Sequence, residues 1–585
     1  MFFEAVGTAL TPEATPGQNL YVWDRATGDI SLVNVLPSSA CGSPPCVPSE
    51  GSFAGGYNWW ENEPTMGGSR YRFFTQAQHV ISDDGSKAYF SASGSGQVYL
   101  RKNPTSPTAT TVEISASQKT NGTDPNGPQP AVFMTATPDG SKAFLTSPEK
   151  LTNDATTGPS DNGRDLYSYD AASGQLTDLA PDTSDPNGAE VMGVIGTSSD
   201  GSHVYFVANG DLDGSGPAAS GDCDPQATSE RQWIGQCSLY LWHESQITFI
   251  ARLDASGEFV ATYGSSEPSD AANWAPRGTQ TAGNSEVLNT GRVSADGSAV
   301  LFRSRRKLTS YDNQGIAEYY RYDASSGALD CVSCNPSNIA PVAAPELQAQ
   351  TSYLGLPGPA AITTRNLSRS GDQVFFQTPD PLLPADTNGL TDVYEWEADG
   401  AGSCQSSLQD GGCLYLISTG TSTSPSNIAD ASASGEDVFF FTEQQLVGQD
   451  EDNLVDVYDA HVGGGLAGQN PQRPPDCSGE ACKGASTQAP GAKGAGSAVF
   501  QGPGNAASQV GCVADPTINR LTRSAKSLRS KSRKLSRQAT STSDPKKAQQ
   551  LASKAHRLAK SAKAHEKRAQ KVVKRCRGVG GKGAR

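Results

Sequence analysis

The chain has 585 residues, with 46 Lys+Arg against 61 Asp+Glu and a formal net charge of −15. Only 18% of residues are charged while Gly (62) and Pro (37) abound, which fits one large repetitive domain with additions rather than one compact domain. No apolar run reaches the ~18–20 residues of a membrane-spanning helix, and the net charge taken whole argues against a polyanion binder.

Along the chain, six stretches share one local pattern: Ser82-Asp-Asp-Gly85, Thr137-Pro-Asp-Gly140, Ser198-Ser-Asp-Gly201, Ser294-Ala-Asp-Gly297, Ser368-Arg-Ser-Gly371 and Ser432-Ala-Ser-Gly435. Each turn leads into a short β-favouring run such as Val204-Tyr-Phe206, Val374-Phe-Phe376 or Val438-Phe-Phe-Phe441. A second signature follows downstream: Leu166-Tyr-Ser-Tyr-Asp170, Leu239-Tyr-Leu-Trp242, Tyr319-Tyr-Arg-Tyr-Asp323, Val393-Tyr-Glu-Trp396 and Val457-Tyr-Asp459. Ala-Ser-Gly-type turns close several copies, as at Ala172-Ser-Gly174 and Ser325-Ser-Gly327. Each unit reads as four short strands, and irregularly spaced all-β units of this kind predict propeller blades with variable loops.

These residues resemble the WD40-like, TolB-type β-propeller repeat of secreted and envelope bacterial proteins, over about residues 1–460. The resemblance implies an all-β fold, a β-propeller of about seven four-stranded blades (six to eight), and leaves function open, because propellers host enzymes, receptors and scaffolds.

Register adds a sharper expectation. The turn Gly and the second-signature Tyr are 23 residues apart in Gly297/Tyr320, Gly371/Tyr394 and Gly435/Tyr458. The N-terminal copy, Leu20-Tyr-Val-Trp-Asp24, then places Phe2 and Phe3 on the slots of Phe375/Phe376 and Phe439/Phe440. The expectation is that the chain opens inside a blade and that a signal peptide lies upstream of Met1. The alternative is ring closure by a C-terminal strand, with Ser497-Ala-Val-Phe500 in segment 496–501 as the candidate.

Twelve Cys fall into neighbouring pairs: Cys41 with Cys46, Cys223 with Cys237, Cys331 with Cys334, Cys404 with Cys413, and Cys477 with Cys482, followed by Cys512 and Cys576. Close pairs in Gly/Ser/Pro-rich sequence predict loop disulfides and a secreted or cell-envelope location. Zinc and redox roles are the rivals, but no His neighbours these pairs, and no βαβ pattern surrounds Cys331-Val-Ser-Cys334. A cytoplasmic scaffold is disfavoured on the same ground.

No H-E-x-x-H, G-x-S-x-G, P-loop or Rossmann fingerprint occurs. His203 and His243 stand beside strand aromatics, which points to packing or solvent exposure. The loop before the Tyr strand carries acids: Asp386-Thr-Asn388-Gly-Leu-Thr-Asp392, Asp450-Glu-Asp452-Asn-Leu-Val-Asp456, the degenerate Asp312-Asn-Gln314-Gly-Ile-Ala-Glu318 and the shorter Asp161-Asn-Gly-Arg-Asp165. Such oxygens at alternating positions are hard ligands that suit Ca²⁺, the only cofactor indicated. The competing reading is Asx-turn chemistry shaping a hairpin.

Gly463 begins a Gly/Pro/Ser-rich linker over 463–511, which leaves the propeller as 1–462. Residues 513–585 hold 22 Lys+Arg against Asp515, Asp544 and Glu566, a net of +19, which leaves −34 for the remainder. Ile518, Leu521, Ala525, Leu528, Ser532, Leu535 and Ala539 recur at three and four, as do Ala548, Leu551, Ala555, Leu558, Ala562, His565, Ala569, Val572 and Cys576. With Asp544-Pro545 as the break between them, 512–585 is expected to be an antiparallel basic helical hairpin clamped by Cys512–Cys576. Its bases are either a solvated face, an anchor for an anionic cell-surface polymer, or a latch onto the acidic propeller. The tail has no aromatics to stack on bases, which disfavours nucleic acid. The function expected is a non-catalytic propeller that binds a protein or glycan on its face, the alternative being a carbohydrate hydrolase or lyase with acids gathered from several blades.

Overall fold

The computed structural model describes residues 1–41, 46–55, 73–75, 78–156, 163–182, 188–214, 221–225, 232–258, 269–274, 277–279, 290–348, 364–405, 411–465, 526, 528–536 and 545–579. The chain divides into two units, Met1–Asp476 and Cys477–Arg585, with the boundary inside the Gly/Pro/Ser-rich stretch.

The first unit is all-β. Among the described residues seven antiparallel sheets of three or four strands repeat along the chain as blades, each with its strands in sequence order from edge to edge, and two small sheets lie outside them: Asp224–Pro225, Gln232–Ile234 and Gly257–Glu258, and the pair Phe73–Thr75 with Arg277–Thr279. Blade I holds Phe2–Val6, Gln18–Trp23 and Ile30–Leu32. Blade II holds Ser52–Ala54, Lys87–Ala92, Val98–Lys102 and Thr110–Glu113. Blade III holds Val132–Ala136, Lys142–Ser147, Asp165–Asp170 and Leu176–Asp178. Blade IV holds Val191–Thr197, His203–Ala208, Gln236–His243 and Gln246–Asp254. Blade V holds Arg292–Val293, Ala299–Ser304, Glu318–Asp323 and Leu329–Cys331. Blade VI holds Gln373–Thr378, Asp392–Ala398 and Gly412–Leu416, and blade VII holds Asn427–Ala431, Asp437–Thr442 and Asp456–His461. The expected four strands per blade are thus present in II to V, whereas I, VI and VII carry three; in VI the inner strand shrinks to a bridge between Leu367 and Val374.

The apolar side chains make these sheets a propeller. Six core clusters lie among the described residues, and each joins two successive blades. Val374 and Phe376 pack toward Leu301 and Tyr319 of blade V, while Phe375 between them packs with Val438 and Phe440 of blade VII. Phe144 likewise faces Phe206 of blade IV while Leu145 faces Leu100 of blade II. A strand buried on both faces needs apolar residues at consecutive positions rather than alternate ones, which is why the second strands read Val-Phe-Phe. The outer blades differ: Val6 is 44% exposed and Val457 59% exposed.

In every blade but III, where Leu145 lies opposite Tyr167, an aromatic of the second strand stacks on the Tyr of the third. Phe302–Tyr320, Phe376–Tyr394 and Phe440–Tyr458 have ring centroids 5.8–6.0 Å apart. Phe3 pairs with Tyr21 in the same register, at 5.6 Å, so Phe2–Val6 occupies the second-strand slot of blade I.

The S-x-D-G turn ties blades together as well as reversing the chain. In Ser294-Ala-Asp-Gly297 the Ser294 hydroxyl donates to Asp296 and accepts from the Ala299 N–H, and the Gly297 N–H donates to the Ser294 carbonyl. The second turn residue then reaches the neighbouring blade: Ser199 N–H donates to Ala295 O (2.7 Å), Ala295 N–H to Arg369 O (3.1 Å) and Arg369 N–H to Ala433 O (2.8 Å). Asp83 N–H donates to Pro138 O, but Pro138 has no N–H to pass on, and Lys142 Nζ instead approaches Gly201 O at 3.5 Å. The glycine carbonyls are capped from the preceding blade by Tyr89, Tyr205 and the Arg321 guanidinium.

Four of the expected disulfides are formed, Cys41–Cys46, Cys223–Cys237, Cys331–Cys334 and Cys404–Cys413. The expected bridge between Cys477 and Cys482 is not one of these four: Cys477 and Cys482 both lie outside the described residues. The same holds for Cys512, for the side chain of its expected partner Cys576, and for the candidate closing strand 496–501.

In the second unit, residues 528–536 and Pro545–Val579 are helical. The Ser532 hydroxyl donates to the Ala555 carbonyl at 2.8 Å, and Ala555 and Ala562 are buried, on the seam expected from the three–four spacing. Leu528, Leu535, Leu551 and Leu558 are half-buried on the same seam, whereas Lys531, Arg533, Lys534, Lys554, Arg557, Lys560 and Lys563 are exposed.

The turns give the first prediction. A Cβ at Gly297 (φ +78°) would sit 2.5 Å from the His203 Cβ, whereas one at Gly85 (φ +71°) meets nothing. Gly85→Ala should cost about 1 kcal/mol for the left-handed backbone alone, and Gly297→Ala clearly more, measured by urea denaturation at neutral pH.

Candidate functional site

The loops joining second to third strands leave each blade at the end opposite the S-x-D-G turns, and all the acidic motifs sit there. Their shape depends on the third-strand tyrosine. Tyr394 Oη accepts from the Leu382 N–H at 3.3 Å and donates to Asp386 Oδ2 at 2.5 Å. Tyr458 accepts from Leu446 N–H and donates to Asp450; Tyr167 accepts from Leu151 N–H and donates to Glu149 O. Tyr21 and Tyr240 hold Leu10 and Leu212 in the same way. One hydroxyl thus closes each of these loops. Burial, and the hydrogen bond to Asp386, hold the Tyr394 phenol far above its ordinary pKa, so it remains a donor at any working pH.

The residue two places before that tyrosine, or its equivalent in blade II, is polar in all seven blades: Asn19, Gln97, Asp165, Ser238, Glu318, Asp392 and Asp456. In four blades a polar side chain just past the last strand answers it. Ser115 Oγ accepts from Val98 N–H and donates to Gln97 Oε1 (2.6 Å). Ser333 does the same for Tyr319 and Glu318, and Ser418 for Val393 and Asp392. Asn34 serves Leu20 and Asn19 in blade I. This column is legible only once the register is known, because its two members are 15 to 26 residues apart.

The structure treats the candidate ligands unequally. Asp386, Asn388 and Asp392 form an internally bonded loop: Asn388 Nδ2 donates to Asp392 Oδ2 at 2.8 Å, and Asn388 Oδ1 accepts from Leu390 N–H. Asp392 is fully buried, and burial pushes the Asp386 carboxyl up. Asp450, Asp452 and Asp456 bring three carboxylate oxygens within 4.8 Å of one another, on a largely exposed loop. Both motifs use Asx-type bonds to their own backbone, at Leu390 and Leu454. Asp312 accepts from Gln314 N–H, and Glu318 lies within the same 4.8 Å limit of Cys331 and Cys334, whose sulfurs are joined in a disulfide. Asp161 lies outside the described residues.

Blade III departs from the column. There Leu179 N–H donates to Leu166 O, as Val332 N–H does to Tyr319 O in blade V, which places Ala180 where the other blades carry their donor. Asp178, two residues earlier, adds a second carboxyl. It pairs with Tyr167 across the strands, so Asp165 and Asp178 are diagonal neighbours on one sheet face. Burial pushes both carboxyls up, and the charge of Asp165 adds to the rise at Asp178. Sequence reading missed Asp178; the signal was an acid at a position that blades V and VI fill with Cys331 and Leu416.

At the turn end, a cavity of about 590 Å³ opens among blades V to VII, lined by Ala295, Asp296, Arg369, Ser370, Ala433 and Ser434. His203 and His243 stack on each other with centroids 3.7 Å apart, and burial lowers the His203 pKa.

No family model matches the chain, and no curated protein matches it. Among solved structures it is similar to an oligogalacturonate lyase from Vibrio parahaemolyticus (13% identity, 67% of this chain and 90% of that one, TM-score 0.21). It is also similar to an endo-arabinase from Bacteroides thetaiotaomicron (9% identity, 60% and 93%, TM-score 0.19) and to the WD40 domain of SCAP from fission yeast (8%, 68% and 91%, TM-score 0.17). The assignment as a propeller rests on the seven repeated sheets and the cores between them.

Tyr394→Phe should cost about 1–3 kcal/mol, because it strands a buried N–H and a buried carboxylate together. Tyr458→Phe, in a half-buried copy of the same bracket, should cost less, and paired chemical-denaturation curves check the order.

Proposed function

We propose that this protein is an extracytoplasmic, non-catalytic binding propeller whose basic helical hairpin acts as an electrostatic anchor. The observation that carries the reading is the hairpin itself. Its seam is built from Ala555, Ala562 and half-buried leucines, while Lys554, Arg557, Lys560 and Lys563 stay exposed. With +19 on the tail and −34 on the rest, the charge is sorted along the chain rather than mixed. A concentrated cationic surface without aromatics suits phosphate- or carboxylate-bearing polymers of a cell surface. The propeller supplies the ligand face, and the cavity at Asp296, Arg369, Ser370 and Ser434 offers the polar groups that a glycan or a peptide backbone would engage. The disulfides support an oxidising compartment.

The full-length protein should be retained on an immobilised anionic phosphopolymer and elute at moderate salt. The variant Lys554→Glu/Arg557→Glu/Lys560→Glu/Lys563→Glu should elute markedly earlier. Equal elution of the two proteins would remove the anchor reading. Sugar released from a pectic or arabinan polymer would replace the binding reading with a hydrolase or lyase.

A further inference from the structure

Blade III carries two buried carboxyl oxygens with no donor. Asp165 is fully buried and Asp178 6% exposed. Asp165 Oδ2 accepts from the Thr156 N–H at 2.7 Å, and Asp178 Oδ1 from the Ala180 N–H at 2.9 Å. Asp165 Oδ1 and Asp178 Oδ2 have no hydrogen-bond partner.

The other blades show what is missing. Gln97, Glu318 and Asp392 each receive a serine hydroxyl at this position, and blade III offers Ala180 in its place. Removing a donor leaves one bare carboxylate. Adding Asp178 on the same face creates a second, and burying such groups unpaired is costly. Lys150 and Asp182 act on Asp165, and Asp154 acts on Asp178, so the surroundings hold more negative than positive charge; the Tyr167 hydroxyl also lies beside Asp165, but its proton goes to Glu149 O at 3.0 Å. A partner that satisfies two bare carboxylate oxygens at once is a cation.

We propose that Asp165 and Asp178 form a buried site for a divalent, oxygen-preferring cation in blade III, held through the two carboxylate oxygens left without a hydrogen-bond partner. Two carboxylates balance the charge of such an ion, and water completes its shell, a ligand set that suits Mg²⁺ or Ca²⁺ rather than a thiophilic metal. The site is separate from the exposed Asp450, Asp452 and Asp456 trio and does not depend on the binding function above.

The test uses full-length protein stripped with EDTA and melted with increasing CaCl₂ or MgCl₂. A rise in melting temperature that grows with the logarithm of cation concentration is expected, together with one ion per chain by elemental analysis. Asp178→Asn, whose amide donates to Asp165, and Ala180→Ser, which restores the serine of the other blades, should both abolish that shift while remaining folded. Asp450→Asn/Asp452→Asn should keep it. Absence of a shift with either salt at millimolar concentration overturns the proposal, as does an equal shift in Asp178→Asn. A melting temperature that rises only as pH falls, with no response to either cation, also overturns it and assigns a shared proton to the pair.

Discussion

Burial of each inner sheet on both faces is the constraint from which the rest follows. A blade such as VI has no free side, because Val374 and Phe376 belong to one core and Phe375 to the next. Such strands must be apolar at consecutive positions, so neighbouring blades cannot slide past one another without exposing a row of aromatics. The turn-to-turn bonds from Ser199 through Ala295 and Arg369 to Ala433 then set the angular spacing at one end. Pro138 shows the cost of leaving that pattern: its blade passes no backbone donor onward, and a lysine from the second strand takes over.

With the interior committed to packing, chemistry is confined to the two ends. At the loop end, the tyrosine bracket makes the second-to-third strand connection a closed structure, so acids there are spent first on shaping their own backbone. This explains why Asp386, Asn388 and Asp392 look like a ligand set in sequence but are engaged in space by Tyr394, the Leu390 N–H and Ser418 of their own blade. It also explains why blade III stands apart. A repeat makes every position comparable with its equivalents, and the replacement of a serine by Ala180 opposite an acid is visible only by that comparison.

Charge follows the same division of labour. The propeller is strongly acidic and the C-terminal tail strongly basic, so the net charge of the whole describes neither. The two tail helices meet at small residues, Ser532 against Ala555, with Ala562 buried alongside, while Lys554, Arg557, Lys560 and Lys563 stay exposed.

Much of the fold was legible in the sequence. The S-x-D-G turns, the Val-Phe-Phe runs and the Tyr strands determined an all-β repeat of about seven units. The 23-residue register placed Phe3 opposite Tyr21, and the spacing of alanines predicted the seam at Ala555 and Ala562. These features are local, set by backbone conformation and side-chain period within a few tens of residues. Tertiary structure decided what depends on distance across the sheet: three strands rather than four in the outer blades and VI, the serines answering Glu318 and Asp392, the stacking of His203 on His243, and the meeting of Asp165 with Asp178. The sequence determined which residues each blade would use; only the packing of strand against strand decided which of their polar atoms would be left without a partner.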